Sequence, residues 1–220
     1  MAVDVYEDRI NESLGNEFLK KALTGIYVAF AAAHEFCQAN YPEPERKNLE
    51  PLVRRANVEK NLKATVDMMP ELSVSNVKPA GTPWFHIEIL GASVILTTSA
   101  VRYPGGPVNS ATFREVNASP QLRFEELEGP HANEAGRCYA VLTYSSYISS
   151  DLDEQRMYGH LPGSVHIGVP SPDLRKYLYL DNLMTRFPDI VKNHAATCGM
   201  EENMINVYLR RSEATLYHAS

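Results

Sequence analysis

Residues 84–96 constrain the fold most, because polar and apolar side chains alternate there, stop at a turn and alternate again. Side chains of a β-strand point to opposite faces with a period of two. The apolar face of the first strand takes every second residue, which are Phe85, Ile87 and Ile89. The opposite face takes the residues between them, which are Trp84, His86 and Glu88. The sequence therefore predicts a β-hairpin whose polar face holds a histidine, a carboxylate and the only tryptophan.

The turn of this hairpin determines which residues oppose each other. Gly91-Ala92 suits a two-residue type II′ turn, which takes glycine first. With that turn, Ile89 would oppose Val94 on the apolar face. On the polar face, His86 would oppose Thr97.

The N-terminal region has helical periodicity instead. Apolar residues recur at spacings of three and four from Leu19 to Cys37, which places them on one stripe of a helix. Asn16 suits the N-cap, and the helix ends near Asn40 because prolines follow. A second helical region, from about Lys47 to Met69, changes phase midway, so it is either two short helices or one bent helix. The apolar stripe suits a core and also suits an interface between two helices.

The remaining segments complete an α+β pattern. Further strands are predicted at Leu72–Val77, which is an edge strand because Pro79 follows, and at Arg137–Tyr144 and Ser164–Val169. Helices are predicted at Ser110–Asn117, from the Ser171-Pro172-Asp173 start signal through Leu178, and after Pro188. Met204–Leu209 suits a strand or a helix, and the charged stretch Arg123–Gly136 is predicted to be a mobile surface segment.

We therefore expect a single α+β domain over residues 1–220. Its helical part (1–70) would pack on a mainly antiparallel, strongly curved sheet of about five strands within residues 71–220.

Composition narrows the classes of function. A net charge of −6, spread along the chain, disfavours wholesale binding of nucleic acid, although a local basic groove stays open. Three widely separated cysteines fit reduced thiols in a cytoplasmic protein. The longest apolar stretch, Gly25–Ala33, is about half the length needed to span a bilayer. Met1–Glu12 is acidic, unlike a signal peptide, so we expect a cytoplasmic protein without a membrane partner.

A second alternating strand repeats the hairpin pattern. Ser164, His166 and Gly168 alternate with apolar residues, so His166 would share the polar side of His86 and Glu88 if one sheet holds both strands. Two imidazoles and a carboxylate are a donor set for a divalent metal. The alternative is a solvated face without a site. The His-x-Glu motif itself lacks the Pro-Cys-x-x-Cys partner of zinc deaminases.

A second polar cluster surrounds the proline–glycine loop at residues 104–107. Its members are Arg102, Tyr103, Asn109, Arg114 and Asn117. Arginines beside a tyrosine can grip a phosphate or a carboxylate, which predicts a site for a small ligand or nucleotide. The alternative is that both arginines pair with nearby surface glutamates. Elsewhere, His194 and Cys198 have i,i+4 spacing but no further ligand close by in the sequence.

Several short motifs together resemble uncharacterised bacterial and phage-borne proteins. They are the Phe-x-Ile-x-Ile-x-Gly hairpin at 85–91, Ala111-Thr112-Phe113-Arg114, residues 119–124, residues 139–144 and His166-Ile167-Gly168-Val169-Pro170. Proteins of this kind belong to mobile-element, toxin–antitoxin or phage-defence neighbourhoods. The resemblance covers roughly the last two-thirds of the chain and implies no catalytic residue.

Three classes of function stay open. The first is a non-catalytic interaction protein, of bacterial or phage origin, that acts through a protein partner or as a homo-oligomer. The second is a metal-dependent hydrolase or nuclease using His86, Glu88 and His166. The third is a binder of a small ligand or nucleotide at the loop of Arg102 and Arg114.

Overall fold

A computed structural model describes residues 2–79, 85–119 and 137–213. The helices are α1 (Ala2–Asn40), α2 (Glu45–Val66), α3 (Thr112–Ala118), α4 (Leu152–Tyr158), α5 (Leu183–Arg186), α6 (Pro188–Thr197) and α7 (Glu202–Glu213). The strands are β1 (Ser73–Val77), β2 (His86–Leu90), β3 (Val94–Ala100), β4 (Cys138–Ser146), β5 (Pro162–Pro170) and β6 (Tyr177–Asn182). Trp84 and the segment Arg123–Gly136, both named above, lie outside the described residues.

The strands form one six-stranded sheet in chain order, which confirms the α+β class and the position of β1 at an edge. The expected sheet of about five mainly antiparallel, strongly curved strands is wrong in its details. β3 and β4 run parallel, so the sheet is mixed, and it is not strongly curled. A parallel pair requires a crossover connection, and here it includes α3. The domain boundaries stay a prediction.

One face of the sheet carries the main apolar core. The alternating residues of the strands supply its floor, including Ile87, Ile89, Leu96, Leu142 and Ile167. The long helix α1 packs over it with residues of the predicted stripe, including Leu19, Leu23, Ile26 and Phe30. Helix α2 pairs with α1, and its Asn61 donates a side-chain hydrogen bond to the Gly25 carbonyl at 2.8 Å. The stripe is therefore core.

Helix α1 bends at Gly15, whose φ of 74° breaks the helical backbone. Asn16 follows the bend, and its side-chain oxygen accepts a hydrogen bond from Arg186 Nη2 at 2.6 Å. The predicted helix start at Asn16 coincides with this bend. The helical turns from Ala2 to Gly15 are not predicted from the sequence. The second helical region is a single helix, α2, although it contains Pro51.

The hairpin of β2 and β3 is present, but its predicted register is wrong. Ile89 opposes Leu96 rather than Val94, and the pairing ends after Leu90 and Ile95. The turn moves by one residue, because the Gly91 N–H bonds to the Val94 carbonyl at 2.9 Å. A Cβ on Gly91 would lie 2.8 Å from the Ser13 carbonyl oxygen. Glycine is needed here because the turn rests on the backbone of α1, not because of a left-handed turn position.

The predicted helix after Ser171 is also wrong. The hydroxyl of Ser171 donates to the Asp173 carboxylate at 2.6 Å, and the Ser171 N–H bonds to the Lys176 carbonyl at 2.8 Å. Leu174 has a φ of 59°. The Ser-Pro-Asp motif therefore closes a turn, and the following residues form strand β6. Helices α6 and α7 lie where a helix after Pro188 and an element at Met204–Leu209 are predicted.

In the described ranges, no helix combines the length and apolarity needed to cross a bilayer.

Candidate functional site

The face of the sheet opposite the main core is its polar face. Its polar residues are His86 and Glu88 of β2, Thr97 and Ser99 of β3, Thr143 and Ser145 of β4, and Ser164 and His166 of β5. Tyr139 and Val141 of β4 lie on the same face, in a second apolar cluster with Val108 and Ala118. All of these side chains except Glu88 are buried. Buried polar groups normally have hydrogen-bond partners, so one without a partner calls for an explanation.

His86 lies at the start of β2, beneath α3. Its ring stacks on Phe113 with the centroids 3.9 Å apart and the planes 20° apart. Its Nε2 lies 3.3 Å from Glu88 Oε1, and the same oxygen accepts a hydrogen bond from Asn117 Nδ2 at 3.2 Å. Strand β2 therefore supplies the predicted histidine–carboxylate pair, while α3 adds an aromatic ring and an amide that hold it in place.

Arg114 fastens α3 to the sheet. Its Nη1 donates to the Asn109 carbonyl at 2.8 Å, and its Nη2 donates to the Thr98 carbonyl at 3.1 Å. Thr98 lies on the part of β3 that no longer pairs with β2. Burial lowers the pKa of Arg114 from its usual value, and the nearby Tyr139 counteracts this effect. Two donors of Arg114 are therefore already hydrogen-bonded to backbone carbonyls. The main role of this arginine is to hold the loop in place, and fewer of its donors remain for a ligand.

Three other residues of the predicted loop cluster are more exposed than Arg114. Arg102, Tyr103 and Asn109 are exposed, and Asn109 contributes its backbone carbonyl to Arg114. The opposite end of the loop is held by Tyr177 of β6, whose hydroxyl donates to the Gly106 carbonyl at 2.9 Å. We call residues 101–119 the α3 loop. It is tied to β3 through Arg114 and to β6 through Gly106.

His166 occupies the middle of a row that crosses the sheet. Ser99 pairs with Thr143, Thr143 pairs with His166, and His166 pairs with Asn182. We call these four residues the central polar row. Thr143 Oγ1 donates to the His166 carbonyl at 3.5 Å, Ser99 Oγ donates to the Ala100 carbonyl at 3.3 Å, and Asn182 Nδ2 donates to Ser212 Oγ at 3.0 Å.

The imidazole of His166 differs from its three neighbours in the row. The side chain is fully buried, and within the described residues neither ring nitrogen has a hydrogen-bond partner. Burial lowers the pKa of His166 to about 4, so the ring is neutral at physiological pH. A neutral imidazole offers one donor and one acceptor. Both are unused in the part of the chain that the structure describes.

His166 shares the polar face with His86 and Glu88, as predicted, but it does not join them. Strands β3 and β4 lie between β2 and β5, which separates His86 from His166 by about 14 Å at about 4.8 Å per strand. Across residues 2–79, 85–119 and 137–213, no three His, Cys, Asp or Glu side chains are grouped so that they could hold a metal ion. The predicted three-ligand metal site is therefore not assembled there.

Sequence reasoning missed two residues that shape this face. The sequence places Phe113 in a short helix without assigning it to the polar face, yet its ring covers His86. The sequence predicts a helix at Tyr177, yet this residue belongs to β6 and its ring packs over Gly168 of β5, beside His166. Gly168 leaves room for that ring, because a Cβ there would lie 2.7 Å from Tyr177 Cδ1. Only the alternation in β5 could have indicated that a neighbour crosses at Gly168.

Two other features lie on the helical side of the sheet. Cys198 Sγ lies 3.4 Å from His160 Nε2, while His194 stacks on Tyr27 instead of joining them. A surface cleft of about 460 Å³ lies beside Lys20 and Arg186. Arg186 donates hydrogen bonds there to Asp181 and to two asparagines of α1. Neither feature contains a residue of the polar face.

No family model matches this chain, and neither a curated protein nor a solved structure shows significant similarity to it. The resemblance to uncharacterised bacterial and phage-borne proteins therefore stays a prediction.

Proposed function

We propose that this protein is a non-catalytic binding protein that takes a small uncharged polar molecule between the central polar row and the α3 loop. One observation carries the proposal. His166 is fully buried, and no partner for either ring nitrogen lies within the described residues. Leaving a buried polar group without a partner costs about 1–3 kcal/mol, so a site of this kind favours a bound molecule that supplies the missing hydrogen bonds.

The charges of the row define the class of ligand. Ser99, Thr143 and Asn182 carry no charge, and His166 is neutral because burial lowers its pKa to about 4. Bringing a net charge into such surroundings without a partner is costly. A hydroxyl, an amide or the edge of a nucleobase matches the donor and acceptor of a neutral imidazole. We therefore favour uncharged hydrogen-bonding molecules over phosphates and carboxylates.

The α3 loop supports this proposal as a cover that is tied at both ends. Tyr177 lies over Gly168, next to His166 on β5, and its hydroxyl bonds to Gly106 of the loop. Arg114 holds the other end of the loop against β3. Arg102 and Tyr103 are exposed on the same loop.

A thermal-shift screen tests the proposal with nucleosides, neutral sugars and small amides as probes. At about 100 times its dissociation constant, a ligand adds about 2.7 kcal/mol to the free energy of unfolding. We expect at least one probe to raise the melting temperature of the natural chain. The replacement His166→Leu removes both ring nitrogens at similar volume and should abolish that rise.

His194→Leu is the matched control, because His194 is a histidine on the helical side of the sheet. It should leave the ligand-induced shift unchanged. The proposal is contradicted if no probe stabilises the chain, or if the stabilising probe acts equally on His166→Leu.

A further inference from the structure

Helix α4 is held to the body of the protein along one side. The carboxylate of Asp151 caps the helix by accepting from the N–H groups of Asp153 and Glu154 at 2.9 and 3.0 Å. Arg211 of α7 reaches Glu154 Oε2 at 3.3 Å, and Tyr158 is buried in the main core. Glu154 and Tyr158 are one turn apart and define the inward side.

The outward side of α4 carries two apolar and two charged residues. Leu152 and Met157 are 72% and 57% exposed, although both are large apolar side chains. Asp153 and Arg156 lie between them in sequence and form an exposed ion pair with 3.7 Å between the nearest atoms. Exposed apolar side chains are ordinary when scattered, but a contiguous group marks an interaction surface.

The order of these four residues is self-complementary. An antiparallel copy of α4, related by a two-fold axis through the middle of the helix, places Leu152 opposite Met157 of the copy. The same axis places Asp153 opposite Arg156 of the copy. Apolar therefore meets apolar and acid meets base, twice each. A two-fold interface uses the same patch on both subunits, and this pattern suits it.

Neighbouring apolar residues extend the surface. Ile148 precedes α4 and is 68% exposed, while Val207 of α7 is 45% exposed. Val207 lies one turn before Arg211, on the side of α7 that meets α4. A standard interface buries about 800 Å² on each partner, which is more than two turns of helix provide. A dimer through α4 therefore needs additional apolar surface, which Ile148 and Val207 can supply.

We infer that this chain forms a two-fold homodimer through α4, with Leu152 packed against Met157 and Asp153 paired with Arg156 across the axis. The inference is independent of the polar face, because Leu152, Met157, Ile148 and Val207 all lie outside the α3 loop and the central polar row. The partner is a second copy of this chain.

Sedimentation velocity over a range of protein concentrations tests the inference on the full chain. We expect a monomer–dimer equilibrium that Leu152→Asp weakens at least tenfold. Met68→Asp is the matched control, because Met68 is 62% exposed between α2 and the edge strand β1, whereas α4 connects β4 and β5 farther along the sheet. Far-UV circular dichroism and the melting temperature of the monomer establish that each variant is folded.

A charge exchange tests the predicted pairing itself. Asp153→Arg or Arg156→Asp alone should weaken the dimer, because like charges then meet across the axis. The double exchange should restore it. The pair within one chain is exposed and worth little. Because Asp153 and Arg156 lie in the first and last turns of α4, each exchange also costs about 0.3–1 kcal/mol through the helix dipole, so the stability of each monomer is measured beside its dimerisation. A chain that is monomeric at all concentrations, a dimer indifferent to Leu152→Asp, or a dimer weakened equally by Met68→Asp would overturn the inference.

Discussion

The imidazoles of His86 and His166 face the same side of the sheet from strands β2 and β5, with β3 and β4 between them. The two rings have different surroundings. His86 stacks on Phe113 and contacts Glu88, whereas His166 has no side-chain partner among the described residues. One ring nitrogen of His86 therefore has a partner in Glu88, whereas His86 Nδ1 and both ring nitrogens of His166 have none among the described residues.

A titration with Zn²⁺ or Mn²⁺ should show no site that depends on both histidines. The reason is their separation of about 14 Å, since ligands to one ion lie within about 2–2.6 Å of it. Elemental analysis and calorimetry on the natural chain, His86→Ala and His166→Ala provide the measurement. Stoichiometric binding that both substitutions abolish would contradict the placement of the two strands.

The stability of the protein should depend on pH through His166. Burial lowers the pKa of His166 in the folded chain to about 4 from an ordinary value of 6.5. Between these values the unfolded chain takes up a proton that the folded chain does not. The free energy of unfolding therefore falls as the pH drops from 6.5 to 4, by about 3 kcal/mol for this group.

Urea unfolding of the natural chain and of His166→Leu at pH 7 and near pH 4 measures this contribution. We expect the natural chain to lose about 3 kcal/mol more than the variant over that interval. Equal losses in the two proteins would show that His166 is accessible to protons in the folded state.

Arg114→Ala should loosen the α3 loop. It removes two charge-assisted hydrogen bonds to backbone carbonyls and the contact of the guanidinium with Phe113, which together are worth about 2 kcal/mol. The stability of Arg114→Lys should lie between that of the natural chain and that of Arg114→Ala, because an ammonium group cannot make the same forked contact. Arg102→Ala, on an exposed side chain, should change stability by less than about 0.5 kcal/mol.

Amide hydrogen exchange in α3 locates the effect of Arg114→Ala. Faster exchange at residues 112–118 is the expected result. If Arg102→Ala and Arg114→Ala behave alike, Arg114 does not hold the loop.

Gly91→Ala should destabilise the protein by about 1–3 kcal/mol, because the added Cβ meets the backbone of Ser13. Denaturant unfolding gives the magnitude. Adding Ser13→Ala to Gly91→Ala should recover only part of the loss, since the Ser13 carbonyl would still lie 2.8 Å from the new Cβ. Full recovery would place the conflict at the Ser13 hydroxyl alone.

Alternation predicted the strands and their faces because it depends only on the local backbone. The inward positions of Ile87 and Ile89 and the polar position of His166 follow from a period of two and are confirmed. Phe85, the third residue of the predicted apolar face, lies before β2 and is exposed. The register of the hairpin does not follow from that period. It is decided by α1, whose backbone rests against Gly91, and this contact joins residues far apart in the sequence.

The helix predicted at β6 and the predicted three-ligand metal site both depend on how strands pair, which a local pattern does not contain. Ser171-Pro172-Asp173 is compatible with a helix start and with a tight turn, and the pairing of β6 with β5 decides between them. The distance between His86 and His166 depends on strand order, which two isolated strand patterns do not contain. The parallel pairing of β3 with β4 places both strands between the histidines.

Nuclear magnetic resonance of the His166 ring nitrogens tests whether a small uncharged molecule binds beside this ring. The probes are the nucleosides, neutral sugars and amides of the thermal-shift screen, added to ¹⁵N-labelled protein near neutral pH. We expect a neutral ring whose Nδ1 or Nε2 resonance moves when a stabilising probe is added, while His194 stays unchanged. A charged His166 at that pH, or ring nitrogens that no probe moves, would contradict the proposed binding site.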